Sequence, residues 1–381
     1  MRVLLATTQF MPEIGGVPRL LWKLCQHKPP EHSLSVLGVC QLDPGAYDQF
    51  DRSAGLPIER VKQVAGSGLT SLRFFLHMLR AIRRSRIDVI LCGVGFPTAI
   101  LAAVAHLLTR LPYAAITHSE DLTIQGAARR RLLGWALNSA QAVFALGSFG
   151  EQQLRSLGVT RPPVFRAPPG IDPEPFLAEN PLGQVPKPPG QFTLLTVARL
   201  VHRKGQDLVL RALPELRRKI PGVRYIIIGS GPDETALRGL AESLGVADCV
   251  TFAGSISDAL LPVYYQACDV FVMPTRPSDD RLEVEGFGIV FLEAGAAGKP
   301  VIAGCSGGVE GAVLDGLTGY LVDPYSLDEL VRRVEQLAAE PQLAQRLGSA
   351  GRARVLREFT AEGYSRKIFQ GLEQAAAPGK E

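Results

Sequence analysis

The chain is predicted to be an α/β protein with two doubly wound parallel sheets, one in each of two domains. Short runs of β-branched and other apolar residues alternate with longer helical patterns, which is typical of βαβ units on a parallel sheet. The alternation stops once, at a stretch rich in proline and glycine, and then starts again. A length of 381 residues is enough for two domains, each with its own core.

The first half of the chain supplies five predicted strands, and helical stretches lie between most of them. These strands are Arg2–Thr7, Leu34–Val39, Asp88–Cys92, Tyr113–Thr117 and Ala142–Leu146. Together they predict a first Rossmann-like domain over residues 1–178.

Residues 178–190 contain four prolines and two glycines. Because proline fits neither a helix interior nor a central strand, we predict a linker here. A second Rossmann-like domain then follows over residues 191–356, and residues 357–375 form a predicted C-terminal helix. Its five predicted strands are Phe192–Val197, Tyr225–Gly229, Val250–Ala253, Val270–Met273 and Val301–Ala303.

The order of these elements also predicts where a ligand binds. In doubly wound folds, ligands bind outside the carboxyl ends of the strands. We therefore expect the two domains to face each other across a cleft, with the functional residues just after the strands.

Composition places the chain among ordinary globular proteins, with 46% hydrophobic and 20% charged residues. The net charge of +4 does not indicate a nucleic-acid partner. It is uneven, however, because residues 1–182 carry 19 basic and 13 acidic residues and the remainder carries 22 and 24. The first domain is therefore the better candidate for an anionic partner or a membrane surface.

Cysteine usage and the hydrophobic runs indicate a cytoplasmic protein. None of the six cysteines forms a CxxC pair, which predicts buried, reduced thiols. The first apolar run is too short for a signal peptide. No run reaches the roughly 18 apolar residues that span a bilayer. Peripheral contact with the inner membrane face stays open.

Residues 285–293, Glu-Gly-Phe-Gly-Ile-Val-Phe-Leu-Glu, place two carboxylates eight positions apart. If a helix begins at Gly288, Glu293 lies within its first two turns and Glu285 lies on the loop before it. Both acids can then face one crevice beside a helix N-terminus, where backbone N–H groups favour anions. Carboxylates accept hydrogen bonds from hydroxyls and the N–H groups hold phosphate, so this pattern predicts a sugar-nucleotide site.

Arg199 and Lys204 lie five positions apart at the end of a predicted strand. Such a pair can grip a diphosphate, arginine through its planar fork and lysine as a point charge. The alternative is a pair of solvated surface charges, and the position at the strand end favours the diphosphate.

Two further candidates follow strands of the first domain. Gly15 and Gly16 precede a helical run, where glycine lets a backbone approach a phosphate, although a plain tight turn explains them equally well. His118 directly follows the strand Tyr113–Thr117 and can donate to a sugar hydroxyl or stabilise developing charge, although a lone histidine is often structural.

No metal site is predicted. Asp121 and the pair Asp279-Asp280 are interpreted as solvated loop acids, because no Asp-x-Asp pairing or His/Cys cluster accompanies them.

Two stretches, Leu69–Arg86 and Ala127–Trp135, combine basic and apolar residues at helical spacing. They either lie on an anionic membrane surface or pack on the sheet with basic outer faces.

Six elements occur in order along the chain and carry a family resemblance. They are Gly15-Gly16, His118, Pro168-Pro-Gly-Ile-Asp172, Arg199 with Lys204-Gly205, Gly229-Ser-Gly-Pro232, and Glu285 with Glu293. At these separations the chain resembles the retaining glycosyltransferases of family 4 over essentially its whole length. The resemblance implies the GT-B fold, with the C-terminal helix 357–375 crossing back onto the first domain.

The resemblance also implies roles for the second-domain residues. Arg199 and Lys204 would hold the donor diphosphate, and Glu293 would bind the ribose hydroxyls.

The same resemblance implies which groups meet the donor sugar. Glu285 and the backbone amides of Gly286, Phe287 and Gly288 would contact it, and His118 would lie near the anomeric centre.

Within the family, residues 282–294 and 300–308 are similar to the actinobacterial phosphatidylinositol mannoside mannosyltransferases, which favours GDP-mannose as donor. Two departures stand out. Gly307-Gly-Val-Glu-Gly311 lacks the proline of the usual Gly-Gly-x-Pro-Glu, and Ser119 follows His118 where glycine is frequent.

The predicted activity is transfer of a hexose from a nucleoside diphosphate sugar to a hydroxyl of a glycan, lipid or small molecule. Retention at the anomeric carbon is implied by the resemblance, with the leaving phosphate assisting acceptor deprotonation, and no metal or other cofactor is expected. Arg199, Lys204 and the helix N-terminus near Gly16 would stabilise the charge on the leaving diphosphate.

Two alternatives remain open at this point. A GT-B-fold sugar-nucleotide epimerase would use the same cleft without an acceptor. A non-catalytic nucleotide-binding module would bind the nucleotide without turnover.

Overall fold

A computed structural model of the chain describes residues 1–41, 44–64, 67–123, 126–177, 190–278 and 283–376. The chain forms two compact units, Met1–Gly170 together with the C-terminal segment from Ala361, and Ile171–Thr360. The first boundary comes before the predicted one at 178, and Phe176 packs on Tyr265 of the second unit with ring centroids 5.6 Å apart. Of the predicted linker, residues 178–189 lie outside the described residues.

Seven parallel strands form the sheet of the first unit. They are β1 Arg2–Ala6, β2 Ser33–Cys40, β3 Ile58–Lys62, β4 Val89–Cys92, β5 Tyr113–Thr117, β6 Ala142–Ala145 and β7 Val164–Arg166. Their spatial order is β3-β2-β1-β4-β5-β6-β7. The direction of this order reverses between β1 and β4, which marks the usual ligand-binding edge of a doubly wound sheet.

Helices cover this sheet. They are α1 Gly16–Gln26, α2 Pro44–Ser53, α3 Ser67–Ser85, α4 Thr98–Thr109, α5 Ser119–Leu122, α6 Ala127–Asn138 and α7 Ser148–Ser156. Three of them, α3, α4 and α6, share one core with the strands through Phe74, Ala102 and Leu133. Since α4 contacts both α3 and α6, these helices form one layer.

Six parallel strands form the sheet of the second unit. They are β8 Phe192–Val197, β9 Val223–Ile228, β10 Val250–Gly254, β11 Val270–Met273, β12 Val301–Gly304 and β13 Gly319–Val322. Their spatial order is β10-β9-β8-β11-β12-β13, and the direction of this order reverses between β8 and β11.

The helices of the second unit surround a core that includes Leu194, Ile227 and Val272. They are α8 Glu174–Leu177, α9 Gln206–Lys219, α10 Glu234–Ser243, α11 Leu261–Ala267, α12 Ile289–Ala296, α13 Val309–Ala312, α14 Leu327–Ala339 and α15 Pro341–Glu358.

The last helix, α16 Ala361–Ala376, returns to the first unit and contacts α1. Ser365 of α16 is fully buried, and its hydroxyl donates to the Leu24 carbonyl oxygen at 3.4 Å. Residues 357 and 358, which the sequence placed in this helix, instead end α15.

All ten predicted strands are confirmed in place, and the two-sheet α/β class is confirmed with them. Three strands were not predicted from the sequence, and they are β3, β7 and β13. Each lies at an edge of its sheet.

None of the six cysteines forms a disulfide, and five are buried as predicted. Cys305 is exposed, which corrects the expectation that all of them are buried. Across the described residues, the helices are too short or too polar for any of them to traverse a bilayer.

Candidate functional site

Three cations follow strand β8 in the second unit. Arg199 is exposed directly after the strand, and a 3-10 turn at residues 202–204 carries the other two. Gly205 ends this turn with a φ of 78° and leads into α9. A side chain is strained at this φ, and a Cβ on Gly205 would lie 2.2 Å from the Pro274 carbonyl oxygen. Glycine therefore lets the turn lie against the end of the neighbouring strand β11.

The end of β11 fixes this turn through two residues that the sequence did not single out. Thr275 Oγ1 and the Arg276 backbone N–H donate to the Arg203 carbonyl oxygen at 3.0 and 2.9 Å. The Arg276 side chain is 6% exposed. It donates to the His202 carbonyl oxygen at 3.1 Å and pairs with Asp207 of α9. The backbone that carries the cations is therefore held from β11 and from α9.

Lys204 and Arg203 both reach Glu285. Lys204 Nζ donates to Glu285 Oε2, and Arg203 Nη1 lies 3.4 Å from the same oxygen. Arg203 Nε also lies 3.2 Å from Glu283 Oε2. Burial alone would raise the pKa of Glu285, but the two cations outweigh burial and hold the pKa below its usual value. Glu285 is therefore an ionised hydrogen-bond acceptor at neutral pH.

The backbone of the Glu285 loop packs against a second pair of glycines. The Gly308 N–H donates to the Glu285 carbonyl oxygen at 2.8 Å. A Cβ on Gly308 would lie 2.0 Å from the Gly286 carbonyl oxygen, and a Cβ on Gly307 would lie 2.3 Å from that of Glu285. The Glu285 loop can therefore pack against the backbone after β12 only because positions 307 and 308 are glycines.

The loop then enters α12 through Gly288, which is the N-cap and has a φ of 88°. The Phe287 side chain is 4% exposed and packs on Phe359 with ring centroids 5.6 Å apart. Its ring belongs to the core of the unit. A ligand can therefore meet the backbone amides of Gly286, Phe287 and Gly288. These are the groups for which the family resemblance implies contact with the donor sugar.

Glu293 lies in the second turn of α12 and is 7% exposed. The Tyr265 hydroxyl, from α11, donates to Glu293 Oε2 at 2.7 Å. A carboxylate as buried as this one requires such donors. The expected placement, with Glu285 on the loop and Glu293 within the first two turns of the helix, matches the structure, and binding of ribose stays a prediction.

Two glycines after β9 allow their loop to lie over the backbone that follows β8. A Cβ on Gly229, which has a φ of 129°, would lie 2.0 Å from the Ala198 carbonyl oxygen. A Cβ on Gly231 would lie 2.2 Å from the Leu200 carbonyl oxygen. The carboxyl ends of β8 and β9 are therefore in close backbone contact.

In the first unit, His118 follows β5 and is 6% exposed. Its Nε2 lies 2.9 Å from the Gly93 carbonyl oxygen, so Nε2 carries the proton, because a carbonyl oxygen only accepts. The Gly93 N–H in turn donates to the Ala6 carbonyl oxygen at 2.8 Å. His118 thus joins the carboxyl ends of β5, β4 and β1, and its contact with a sugar stays a prediction.

The interpretation of Asp121 as a solvated loop acid is wrong. Its carboxylate accepts three backbone N–H groups, from Gly95 at 2.8 Å, Phe96 at 3.1 Å and His118 at 3.0 Å. Asp121 therefore ties the loops after β4 and β5 together. The pair Asp279-Asp280 lies outside the described residues.

Gly15 is extended, with a φ of 166°, and Gly16 is the exposed first residue of α1. An extended backbone is open to any residue, so the conformation does not require glycine at position 15. The preceding loop is held by Arg60, whose Nη2 donates to the Met11 carbonyl oxygen at 2.5 Å. Beside the two glycines, Ile14 is 96% exposed.

A cluster of Glu31, His32 and Glu373 has the composition of a metal site. His32 Nε2 lies 3.1 Å from Glu373 Oε1, and Nδ1 lies 3.1 Å from the amino nitrogen of Met1. An ammonium only donates, so Nδ1 accepts and the proton sits on Nε2, the nitrogen that faces the carboxylates. The nitrogen that faces the carboxylates therefore already carries a proton, and the cluster is better described as a close polar contact between His32 and Glu373.

In the second unit, Lys204 and Glu285 are therefore in direct contact. Arg199 lies just after β8, the strand that precedes the turn carrying Lys204. Gly15, Gly16 and His118 belong to the first unit. Sequence reasoning missed Arg203, although the basic run His202-Arg-Lys204 carried the signal.

Comparison with known proteins matches both units. Residues 15–170 match the family described as glycosyl transferase 4-like domain, and residues 180–354 match glycosyl transferases group 1.

Solved structures show the same fold. Alr3699/HepE from Anabaena, in complex with UDP, has a TM-score of 0.83 over 98% of this chain and 100% of that one, at 21% identity. Sucrose-phosphate synthase from Thermosynechococcus elongatus has a TM-score of 0.79 over 98% of each chain, at 22% identity. These likenesses show the GT-B fold, which has two Rossmann-like domains.

Sequence relatives are similar over nearly the full length. The GDP-mannose-dependent alpha-(1-6)-phosphatidylinositol monomannoside mannosyltransferase of Mycobacterium tuberculosis H37Rv is 32% identical over 97% of this chain and 98% of its own. The protein of the same name from Mycolicibacterium smegmatis is 33% identical over 92% of each chain. The chain therefore belongs to the family 4 glycosyltransferases of GT-B fold. It is a hexosyltransferase that uses a nucleotide sugar.

Proposed function

We propose that the chain transfers mannose from GDP-mannose to a hydroxyl acceptor, with retention at the anomeric carbon and without a metal. The observation that carries this proposal is the cluster in which Lys204 and Arg203 meet Glu285 at the end of β8. The relatives named above, which are GDP-mannose-dependent by name, support the choice of donor.

The charges around Glu285 suit a diphosphate. Lys204 and Arg203 are partly neutralised by the carboxylates of Glu285 and Glu283. Among the described residues, Arg199 has no ion-pair partner, so it supplies the surplus positive charge. Arginine meets two phosphate oxygens through its fork, and lysine adds a point charge.

The same cations favour departure of the nucleoside diphosphate. Charge builds up on the diphosphate as the bond to the anomeric carbon breaks, and cations already in place stabilise it without reorganisation. Gly205 and Arg276 fix the turn that carries Lys204, which supplies this preorganisation. Such stabilisation takes the part that Mg²⁺ has in metal-dependent transfer, which supports a metal-independent reaction.

Retention follows if the new bond forms on the face from which the diphosphate leaves. In this scheme the acceptor O–H proton passes to an oxygen of the leaving phosphate while the acceptor oxygen bonds to the anomeric carbon. The lowered pKa of Glu285 supports this scheme, because a carboxylate whose pKa is held down by two cations is a weak base for the acceptor proton. We assign Glu285 to the hydroxyls of the donor sugar and Glu293 to the ribose.

In the first unit, we assign His118 and the N-terminus of α1 to substrate contacts. His118 would use Nδ1, because Nε2 is bound to the Gly93 carbonyl oxygen and its backbone N–H is bound to Asp121. At α1, Gly16 begins the helix, and no side chain of the described residues caps it. Its first N–H groups can therefore meet a phosphate.

The acceptor is proposed to be linked to a lipid. Leu69, Leu72 and Leu76 of α3 are 49–55% exposed and share one helix face. Exposed arginines accompany them, and they are Arg73, Arg80, Arg83 and Arg84. The same helix layer exposes further large apolar side chains, which are Leu107, Leu108, Leu132 and Trp135. Apolar residues among basic ones are suited to an anionic membrane surface.

Product analysis tests the proposal. The protein is incubated with GDP-mannose, with and without phosphatidylinositol monomannoside in anionic vesicles. The expected product is the acceptor carrying one more hexose in the donor's anomeric configuration, with the donor intact when no acceptor is present. An epimerised or free sugar from donor alone would indicate the epimerase instead, and binding without turnover would indicate the non-catalytic module.

A further inference from the structure

We propose that Tyr265 is a positioning residue that orients Glu293 toward the ribose of the donor. Through this contact, Tyr265 favours a ribonucleotide over its 2′-deoxy counterpart. The inference rests on the proposed function, in which Glu293 accepts hydrogen bonds from the ribose hydroxyls.

The Tyr265 hydroxyl connects α11 to α12. It donates to Glu293 Oε2 at 2.7 Å and also lies 3.4 Å from the Val290 carbonyl oxygen in the first turn of α12. Tyr265 is fully buried and Glu293 is 7% exposed, so the contact is shielded from water. A hydrogen bond between a buried hydroxyl and a carboxylate is stronger and more directional than the same bond in solvent.

Aromatic packing holds the Tyr265 ring in one orientation. Phe176 of α8 meets it edge to face, with ring centroids 5.6 Å apart and planes at 74°. Phe271 of β11 lies on another side, with centroids 5.5 Å apart and planes at 31°. Phe271 is in turn packed against Phe291 of α12, 5.8 Å between centroids. Since the ring is fixed by rings from α8 and β11, its hydroxyl is a fixed donor.

A fixed donor has a specific consequence for Glu293. A free glutamate side chain must be ordered when it binds a ligand, and this ordering weakens binding. A carboxylate has about four acceptor sites on its two oxygens, so it can hold several donors at once. Tyr265 therefore lowers the ordering cost for the ribose contact and sets the direction from which the hydroxyls approach.

Nucleotide selectivity tests the inference. Calorimetry measures the dissociation constants of GDP and UDP and of their 2′-deoxy forms for the wild type, Tyr265→Phe, Glu293→Ala and the double variant. For the base that binds, the wild type should prefer the ribonucleotide by about tenfold or more. Tyr265→Phe should reduce this preference roughly fivefold and weaken binding of the deoxynucleotide, which keeps only one of the two hydroxyls, much less than binding of the ribonucleotide. The double variant should equal Glu293→Ala, because the tyrosine acts only through the glutamate.

Tyr225→Phe is the matched control. Tyr225 is also fully buried in the second unit, and its hydroxyl lies 2.8 Å from Thr196 Oγ1. The control should lose stability to a similar extent and keep the full ribonucleotide preference, which separates positioning from a general effect on folding.

The outcomes distinguish the inference from the proposed function. If Tyr265→Phe keeps the preference that Glu293→Ala loses, the positioning role is overturned while the role of Glu293 stands. If Glu293→Ala keeps the preference, or the wild type has none, the ribose contact itself is wrong and the inference fails with it. If neither nucleotide binds the wild type, the proposed donor class is overturned.

Discussion

Lys204 donates a hydrogen bond to Glu285, joining the turn after β8 to the loop before α12. The two side chains are 13% and 12% exposed, so each would be poorly solvated without the other. The residues assigned to the diphosphate and to the donor sugar are therefore each other's counter-ion in the free protein. Under the proposed function, a diphosphate would compete with Glu285 for Lys204 and leave the carboxylate available to sugar hydroxyls.

The first prediction concerns the turn that carries the cations. Gly205→Ala should destabilise the protein by at least about 1–2 kcal/mol, because alanine is strained at positive φ and its Cβ would clash with Pro274. It should also weaken binding of nucleoside diphosphates, since relief of the clash displaces Lys204. Gly239→Ala is the control, because Gly239 is exposed in α10 and a Cβ there meets nothing within 4 Å. Thermal melting and calorimetry should find this variant equal to the wild type or slightly more stable.

The second prediction concerns pH. Because Lys204 and Arg203 depress the pKa of Glu285, the folded pKa lies below the unfolded value of about 4.3. The stabilisation is therefore fully present above that value and is lost as the pH falls through the folded pKa. Glu285→Gln should lower the free energy of unfolding by about 1–3 kcal/mol at pH 7. Urea unfolding should show this difference shrinking below about pH 4.

Glu283→Gln serves as the control for this pH series. Glu283 pairs with Arg203 but is 60% exposed, so its loss should cost no more than about 1 kcal/mol at any pH. Equal losses for the two variants, or a Glu285→Gln difference that does not shrink at all below about pH 4, would contradict the assignment of a depressed pKa.

The third prediction concerns metals. Transfer should continue at its full rate in excess EDTA, because Arg199, Arg203 and Lys204 supply the positive charge at the diphosphate. Initial rates with EDTA, with Mg²⁺ and with Mn²⁺ should agree within error. A rate that collapses in EDTA and returns with one ion would show that the leaving group depends on a metal.

The fourth prediction concerns the membrane. Changing Leu69, Leu72 and Leu76 together to serine should reduce sedimentation with anionic vesicles by tenfold or more, on the order of 1.5–3 kcal/mol for each leucine that inserts fully. Leu317→Ser is the control, since Leu317 is 55% exposed but lies in the second unit. High salt should weaken binding of the wild type, because the arginines contribute electrostatic attraction. Vesicle binding that the triple change leaves intact would place the membrane contact elsewhere.

The central strands were predictable because burial on both faces makes them nearly continuous apolar runs. The missed strands β3, β7 and β13 are all edge strands. Two of them have weak apolar patterns, because β3 mixes apolar and charged residues as Ile-Glu-Arg-Val-Lys and β7 has only three residues.

The positions of the candidate residues in the fold were predictable where position along the chain decides the geometry, and their roles stay predictions. Arg199, Lys204 and Glu285 follow strands or precede a helix, and parallel strands bring such positions to one edge. Tyr265 and Arg276 act through contacts between elements distant in sequence, which no local pattern reveals. The prediction that Asp121 is a solvated loop acid was wrong because its three backbone donors come from two loops that only the fold brings together.

Calorimetric titration of GDP-mannose into the wild type, Lys204→Ala and Lys219→Ala tests the central claim most directly. Lys219 is a surface lysine of α9, 38% exposed, and serves as the charge-matched control. The wild type and Lys219→Ala should bind the donor equally, and Lys204→Ala should bind it at least tenfold more weakly, as expected for loss of a charged contact to phosphate. Equal affinity of all three proteins would contradict the assignment of the Lys204–Glu285 cluster as the donor site.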